Sequence, residues 1–302
     1  MTIDASVCEL SAGGVVSEET RLSPVLTNDE RPRPCGASAV LDGDVLARGV
    51  PLGRLIGSVS YVDMLFFQVQ GRYPSRSEAV MMEAYLVGLC EHGVTSPSTH
   101  GARVAASVGA PFGACAINFI SAAMGMYHFG ALELSMAQLQ ELADSGADVD
   151  AFIETRLARG ERLWGFGHRF HKSAGAANLD PTELELLQEQ TDPRVRRLIE
   201  LADEMEWGGL HTALVRRLGR RLYERKGVPI NVDGLAAGLL LDMGFEPSIA
   251  MLFVVLGRLP NMARLYLEER RERPNRFVGL ACRGDPSFDR TVDRDLQVVE
   301  KA

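Results

Sequence analysis

Read as a pattern of apolar and polar positions, the chain is helical almost throughout once past its first forty residues. Residues 1–37 mix Ser, Glu, Thr, Pro and Arg in no periodic order and predict an irregular lead. Aliphatic residues around Asp42-Gly43 predict a short extended piece within Ala39–Val50, and Pro51 opens a helical pattern through Leu52, Leu55 and Ile56. From Tyr61 the spacing predicts one helix, a break at Gly71-Arg72-Tyr73-Pro74, and a second helix from near Ser75 to Gly93, which puts His92 at a helix C-terminus. Ser98–Met126 reads as a buried helical region whose Ala, Gly and Ser side chains suit a tight helix–helix contact, including one between subunits. Ser135–Arg159 continues as helix, and Pro181 with two following acids marks another helix start. Residues 191–205 and 210–226 are amphipathic, with arginine faces read as solvated. A further helix begins at the NVDG of 231–234, and the last helical section is Pro247–Arg273. The tail from Pro274 to Ala302 looks irregular, and no internal repeat or low-complexity tract is present.

Composition narrows the function more than the fold. Hydrophobic residues at 46% and charged ones at 24% are ordinary for a globular protein, and 302 residues suffice for a sizeable core. A formal charge of −8 excludes a general nucleic-acid binder, because no basic surplus displaces counterions from phosphates. The five cysteines (Cys8, Cys35, Cys90, Cys115, Cys282) are scattered and form no CxxC pair, which fits reduced thiols in a cytosol. The start MTIDASVCEL has neither a basic n-region nor an apolar core, so no secretory leader is expected. The apolar runs Val104–Met126 and Leu235–Leu256 read as buried helices; the first is built of small residues and the second is broken by Asp242, Glu246 and Pro247. A soluble, cytoplasmic protein with no membrane contact is expected.

Chemistry gathers on loops. In LWGFGHRFHK (163–172), two glycines bracket an aromatic and are followed by His168. Such a loop can present the imidazole to a ligand, or it can be a plain inter-helix turn. Gly125 and Gly130 frame His128 in the same way. His92, at its helix end, reads equally as an anion contact or as a C-cap. Asp233, lodged between Val232 and a Gly-Leu-Ala-Ala-Gly run, reads as a helix N-cap, as a desolvated base, or as both. Two imidazoles and a carboxylate, with arginines to bind carboxylates, suit enolisation and carbon–carbon bond chemistry. A metal site at His168-x-x-His171 has no obvious third ligand.

These segments resemble the citrate synthase family. GFGHRFHK at 165–172 is similar to its GFGHRVYK-type motif and NVDG at 231–234 to its NVD motif. VLGR at 255–258, ERP at 272–274, EHGVTSPSTHGAR at 91–103 and GMYHFGALE at 125–133 match further family segments in order and spacing over roughly residues 40–280. The NVDG, the LDGDVLARGVPL opening and the length look more like the citryl-CoA lyase branch, which includes the C-terminal module of ATP-citrate lyase. The resemblance implies a mainly α, citrate-synthase-like fold and a homodimer. It implies a large helical domain (38–165 and 225–302) and a smaller closing domain (166–224) with an insertion over Lys172–Gln190. It implies a Claisen-type condensation of an acyl-CoA, acetyl-CoA by preference, with a 2-oxo acid such as oxaloacetate, or the reverse cleavage of citryl-CoA. No cofactor is tightly bound, and the coenzyme A thioester is a substrate.

Carried over by position, the resemblance makes Asp233 the base (or acid) at the acyl α-carbon and His128 the hydrogen-bond donor to the enolate oxygen. His168 polarises the 2-oxo carbonyl. His92, Arg194, Arg258 and Arg273 bind substrate carboxylates, Arg273 across the dimer interface, and Arg194 is taken from the DPR at 192–194. Lys172, Arg196 and Arg197 are candidate CoA phosphate contacts by position and charge. Three departures stand out: Phe129 replaces a glycine, His171 replaces a tyrosine, and Leu265 stands where a histidine often follows the GR pair. Phe129 and the altered loop leave open a catalytically silent homologue that binds a metabolite or a partner subunit.

Overall fold

The computed structural model describes residues 38–41, 43–93, 96–167 and 192–272. They are mainly helical. A small antiparallel sheet opens the described part, with β1 (Ser38–Leu41), β2 (Asp44–Ala47) and β3 (Val50–Pro51) in the order β1-β2-β3 and Ser38 opposite Ala47. The helices before the long undescribed stretch are α1 (Leu52–Leu55), α2 (Tyr61–Gln70), α3 (Arg76–Leu89), α4 (Pro97–Ser107), α5 (Phe112–Ala123), α6 (Gly130–Ser145) and α7 (Val149–Ala158). After it come α8 (Pro193–Glu204), α9 (Leu210–Lys226), α10 (Val232–Asp242), a 3-10 turn at Pro247–Ile249, and α11 (Ala250–Glu272). The expected helix start at Pro181 and the tail from Pro274 lie outside the described residues.

These elements divide into two compact units: the described residues of Met1–Gly88 with Ser135–Pro247, and those of Leu89–Leu134 with Ser248–Ala302. In the first unit, Ala47, Leu55 and Phe67 form a core with Val50, Leu52, Val59, Met64 and Tyr73 packed against it. Helix α2 starts on a Ser60–Asp63 capping box and stops at Gly71, whose φ of 75° ends it. Helix α9 packs on α7 and α10. Its arginines, expected to be solvated, lie along the acids of α7: Arg217 on Asp148 at 3.2 Å, Arg221 and Arg225 on Asp150 at 2.5 and 3.0 Å, and Arg225 also on Glu154. Solvent screens such surface pairs, so the row registers the helices more than it stabilises them. The start of α9 is capped by Asp242, the last residue of α10. Its carboxylate accepts from the His211 and Thr212 backbone N–H groups at 2.8 and 2.9 Å and from the Thr212 hydroxyl at 2.6 Å.

In the second unit α4, α5 and α11 pack on one another. Small side chains permit this: a Cβ added at Gly101 would lie 3.3 Å from the Asn118 carbonyl oxygen. Ala102, Phe119 and Met262 form one core cluster and Ala105, Ala106 and Cys115 another. Burying Phe119 and Met262 contributes roughly 1.5–3 kcal/mol each. By length and composition α11 could cross a bilayer, but it carries two fully packed charged side chains, Arg258 and Glu269. Glu269 pairs with Arg103 of α4 at 2.9 Å. It is a core helix of this unit.

Four boundaries differ from the sequence reading. Helix α3 ends at Leu89, so His92 stands in the following loop and not at the helix C-terminus. Ser98–Met126 is two helices, because Gly109 (φ 83°) and Pro111 interrupt it. Ser135–Arg159 is likewise broken at Gly146 (φ 59°), after which Asp148 caps α7. The N-cap of α10 is Asn231, whose side chain accepts from the Gly234 N–H, and Asp233 is already inside the helix.

Candidate active site

In the second unit, three of the singled-out side chains meet. The loop after α3 is held by Glu91, which accepts from the backbone N–H of His92 (2.9 Å) and Gly93 (2.8 Å), from Asn261 (2.8 Å) and from Arg264 (3.0 Å). Burial opposes the charge on Glu91, but those backbone donors and the Arg264 and Arg258 cations outweigh it and hold the carboxyl below its usual range. The turn into α6 is equally constrained. His128 and Gly130 both donate backbone N–H to the Gly125 carbonyl, and a Cβ at Gly130 would sit 2.5 Å from the Met124 carbonyl oxygen. His92 and His128 come within 5.9 Å of each other, centroid to centroid. His128 Nε2 lies 2.8 Å from the Ser98 hydroxyl on α4. Arg258, fully buried, donates to the Leu89 carbonyl at 3.2 Å and the Thr99 hydroxyl at 3.3 Å, with its guanidinium over the rings of Phe119 and Phe129. Burial, seconded by the Arg258 charge, depresses His128 to about 4, so its imidazole is neutral at pH 7.

In the first unit the two glycine-bearing loops lie against each other. Phe166 and Ile230 form an antiparallel bridge, Gly167 N–H donates to the Pro229 carbonyl (2.7 Å), and Asn231 N–H donates to the Gly165 carbonyl (3.1 Å). The Asn231 amide also donates to the Gly167 carbonyl at 2.8 Å. The approach is too close for side chains: a Cβ on Gly165 would stand 2.5 Å from Gly234 Cα, and one on Gly234 would stand 2.2 Å from the Gly165 carbonyl oxygen. Gly165 and Gly167 also have φ of 86° and 77°. Ser135 and Gln138 of α6 bind the Trp164 carbonyl from behind. The loop is thus a built backbone turn, and it runs directly into His168, which lies outside the described residues.

Asp233 stands one residue before Gly234. Its Oδ1 is sealed from solvent and has no hydrogen-bond partner among the described residues. Burial raises its carboxyl to about 7, against the lowering pull of Arg194 and with a small push from Asp192. Arg194 is clamped by Asp192 at 3.0 and 2.7 Å, while Asp192 also caps α8. Tyr85 of α3 is buried as well, and burial and the Asp233 charge push its phenol well above its ordinary range.

Of the residues expected from the sequence, the structure brings together His92, His128 and Arg258 in one unit, and Asp233 and Arg194 in the other. Arg196 and Arg197 stand on the exposed face of α8, where they pair with Glu200 and, for Arg197, Glu204. His168, His171, Lys172 and Arg273 lie outside the described residues, as does the expected insertion. No group of three or more His, Cys, Asp or Glu side chains suited to a metal occurs among the described residues. Sequence reasoning passed over Tyr85, Asp192, Ser98 and Glu91. The DPR and EHG segments held a signal for Asp192 and Glu91, whereas a tyrosine on the apolar face of α3 reads as core.

A helical fold carries a raised aspartate on the first turn of a helix and a depressed histidine on a glycine-held turn, and groups perturbed in this way mark a candidate functional site. The chain belongs to the citrate synthase family: residues 50–278 match the family's "Citrate synthase, C-terminal domain". It is similar to the citrate synthase of Haloferax volcanii, 26% identical over 227 residues that cover 74% of this chain and 56% of that protein. It is similar also to the citrate/2-methylcitrate synthase of Bacillus subtilis, 30% identical over 192 residues, 62% of this chain and 46% of that protein. The chain thus spans about half the length of these curated relatives. Among solved structures it resembles the citryl-CoA lyase of Hydrogenobacter thermophilus, with TM-score 0.69 and 27% identity over 86% of this chain and 100% of that one. ATP citrate lyase of Methanothrix soehngenii, solved with citrate and coenzyme A, shares the fold with TM-score 0.69 at 18% identity, over 85% of this chain and 42% of that one.

Proposed function

We propose that the protein makes or breaks the carbon–carbon bond between an acyl-CoA, acetyl-CoA by preference, and a 2-oxo acid, oxaloacetate by preference. The observation that carries this reading is Asp233, whose Oδ1 is sealed and has no hydrogen-bond partner among the described residues, and whose carboxyl is raised by burial to about 7. In condensation the Asp233 carboxylate takes the acyl α-proton, and neutral His128 donates a hydrogen bond to the enolate oxygen. If the Ser98 hydroxyl donates to Nε2, the Nδ1–H is left for that task. The α-carbon then bonds to the 2-oxo carbonyl carbon, and His168 supplies a proton to that oxygen. Cleavage reverses every step: His168 takes the hydroxyl proton, the bond breaks to the enolate, and protonated Asp233 returns a proton to carbon. His92, Arg194, Arg258 and Arg273 serve the substrate carboxylates, while Lys172, Arg196 and Arg197 serve the CoA phosphates. Closure of a smaller domain over 166–224 keeps water from the enolate.

Cleavage of citryl-CoA is favoured by the full-length match to a citryl-CoA lyase. Purified protein given citryl-CoA should release acetyl-CoA and oxaloacetate, and given acetyl-CoA plus oxaloacetate it should form the citryl thioester. Because Asp233 acts as base in one direction and acid in the other, the condensation rate should rise through about pH 7 and the cleavage rate should fall through it. Silence in both assays, and with a wider panel of acyl-CoA and 2-oxo acids, sinks the proposal.

A homodimer is part of the same reading. It is supported by the apolar side chains that the second unit leaves exposed around α4 and α5, including Val108, Phe112, Ile117, Met124 and Tyr127. Light scattering should report a dimer, and Ile117→Asp should shift it to monomer; a parent protein that is monomeric at micromolar concentration would remove the dimer.

A further inference from the structure

Phe129 is nearly fully buried, on the turn that Gly125 and Gly130 lock in place. Its ring lies 4.4 Å from that of His128 and 5.4 Å from that of His92, and the Arg258 guanidinium sits over its face at 5.7 Å. One apolar ring therefore touches all three polar groups that meet in this unit. We infer that Phe129 is the positioning residue of this half-site: its ring seats the His128 imidazole, orders His92 and Arg258 around it, and keeps water out of the space they share. The inference deepens the proposed function, since it concerns how His128 is kept fit for donating a hydrogen bond.

His92, His128 and Arg258 are all cationic or able to become so. Among the described residues the His128 ring has the Ser98 hydroxyl of α4 as its hydrogen-bond partner, and Glu91, the nearby acid, turns its carboxylate to the backbone N–H groups of His92 and Gly93 and to Asn261 and Arg264. In water-filled space an imidazole beside an arginine would be only mildly disfavoured as a cation, because solvent screens the repulsion. Against a buried ring the half-buried imidazole is solvated on fewer sides, and the repulsion is screened less. The same ring face attracts the guanidinium through its quadrupole, so Arg258 is held where its charge acts on His128. Replacing Phe129 by a small residue leaves a polar-lined void that water can fill.

The test follows the imidazole signals of the whole protein by NMR across pH 3.5–8, with the His128 signal assigned by its loss in His128→Asn. In the parent protein His128 should stay neutral down to about pH 4. In Phe129→Ala its midpoint should rise by about one pH unit or more toward the ordinary histidine value. Phe129→Leu keeps most of the apolar volume without the ring face and should raise it by about half a pH unit; if the alanine variant fails to fold, this one decides. A folded variant with an unmoved His128 midpoint overturns the inference. The titration needs no substrate, so inactivity toward every acyl-CoA would remove the proposed function and leave this question decidable.

Discussion

The two units carry opposite versions of one device. In the first, a carboxyl on the opening turn of α10 is pushed up to about 7; in the second, an imidazole just before α6 is pushed down to about 4. Burial is the leading cause in both, and it drives each group toward its uncharged form. The arginines differ in effect: Arg194 opposes the shift of Asp233, whereas Arg258 reinforces that of His128. One environment thus yields a carboxyl that ionises near neutrality, and the other an imidazole that stays neutral there. The proposed enolate chemistry requires that asymmetry, because a charged donor would surrender its proton and a carboxylate of ordinary low pKa would be too weak a base.

The comparison breaks most completely at Asp233. Asp233→Asn should lower turnover about a thousand-fold while circular dichroism stays unchanged. Its stability should move the other way. The folded carboxyl titrates above its unfolded value of 3.8, so its contribution is fully present below about 4 and is lost as pH rises through about 7. The asparagine variant should therefore match the parent near pH 4 and exceed it at pH 9 by on the order of 3 kcal/mol in urea unfolding. His128→Asn should cost about a hundred-fold in turnover. Its stability difference belongs to the acid side: a depressed histidine contributes above its unfolded value of 6.5, and that contribution is lost as pH falls toward about 4. Melting curves should converge above pH 7 and favour the variant near pH 4. The smallest effect is expected from Arg194→Met. Removing the cation that opposes burial should raise Asp233 further, moving the pH midpoint of condensation up by about half a unit. A midpoint that falls or stays fixed would show that Arg194 does not act on this carboxyl.

Much of this was legible in the chain. Period and punctuation located most described helices, with the largest misreadings where a glycine inside an alanine-rich run ended a helix that composition alone would continue. The GFG and NVDG loops were recognisable, yet the reason for their glycines was hidden. It is a contact between Gly165 and Gly234, which are sixty-nine residues apart. Asp242 read as a mere interruption of an apolar run, and it is the cap of α9, because its partners at His211 and Thr212 come from a different helix. Tyr85 gave no signal at all.

By itself the sequence determined which segments would be helices, which loops would need glycine, and which residue types would be on hand for proton transfer. These follow from local backbone preference and side-chain chemistry, which each stretch carries with it. The tertiary structure alone decided the protonation of Asp233 and His128, the clamp of Asp192 on Arg194, and the seat of two histidines and an arginine on one phenylalanine ring. Such properties depend on what solvent is excluded and which charge lies across the packing, and neither is written in any single stretch of chain.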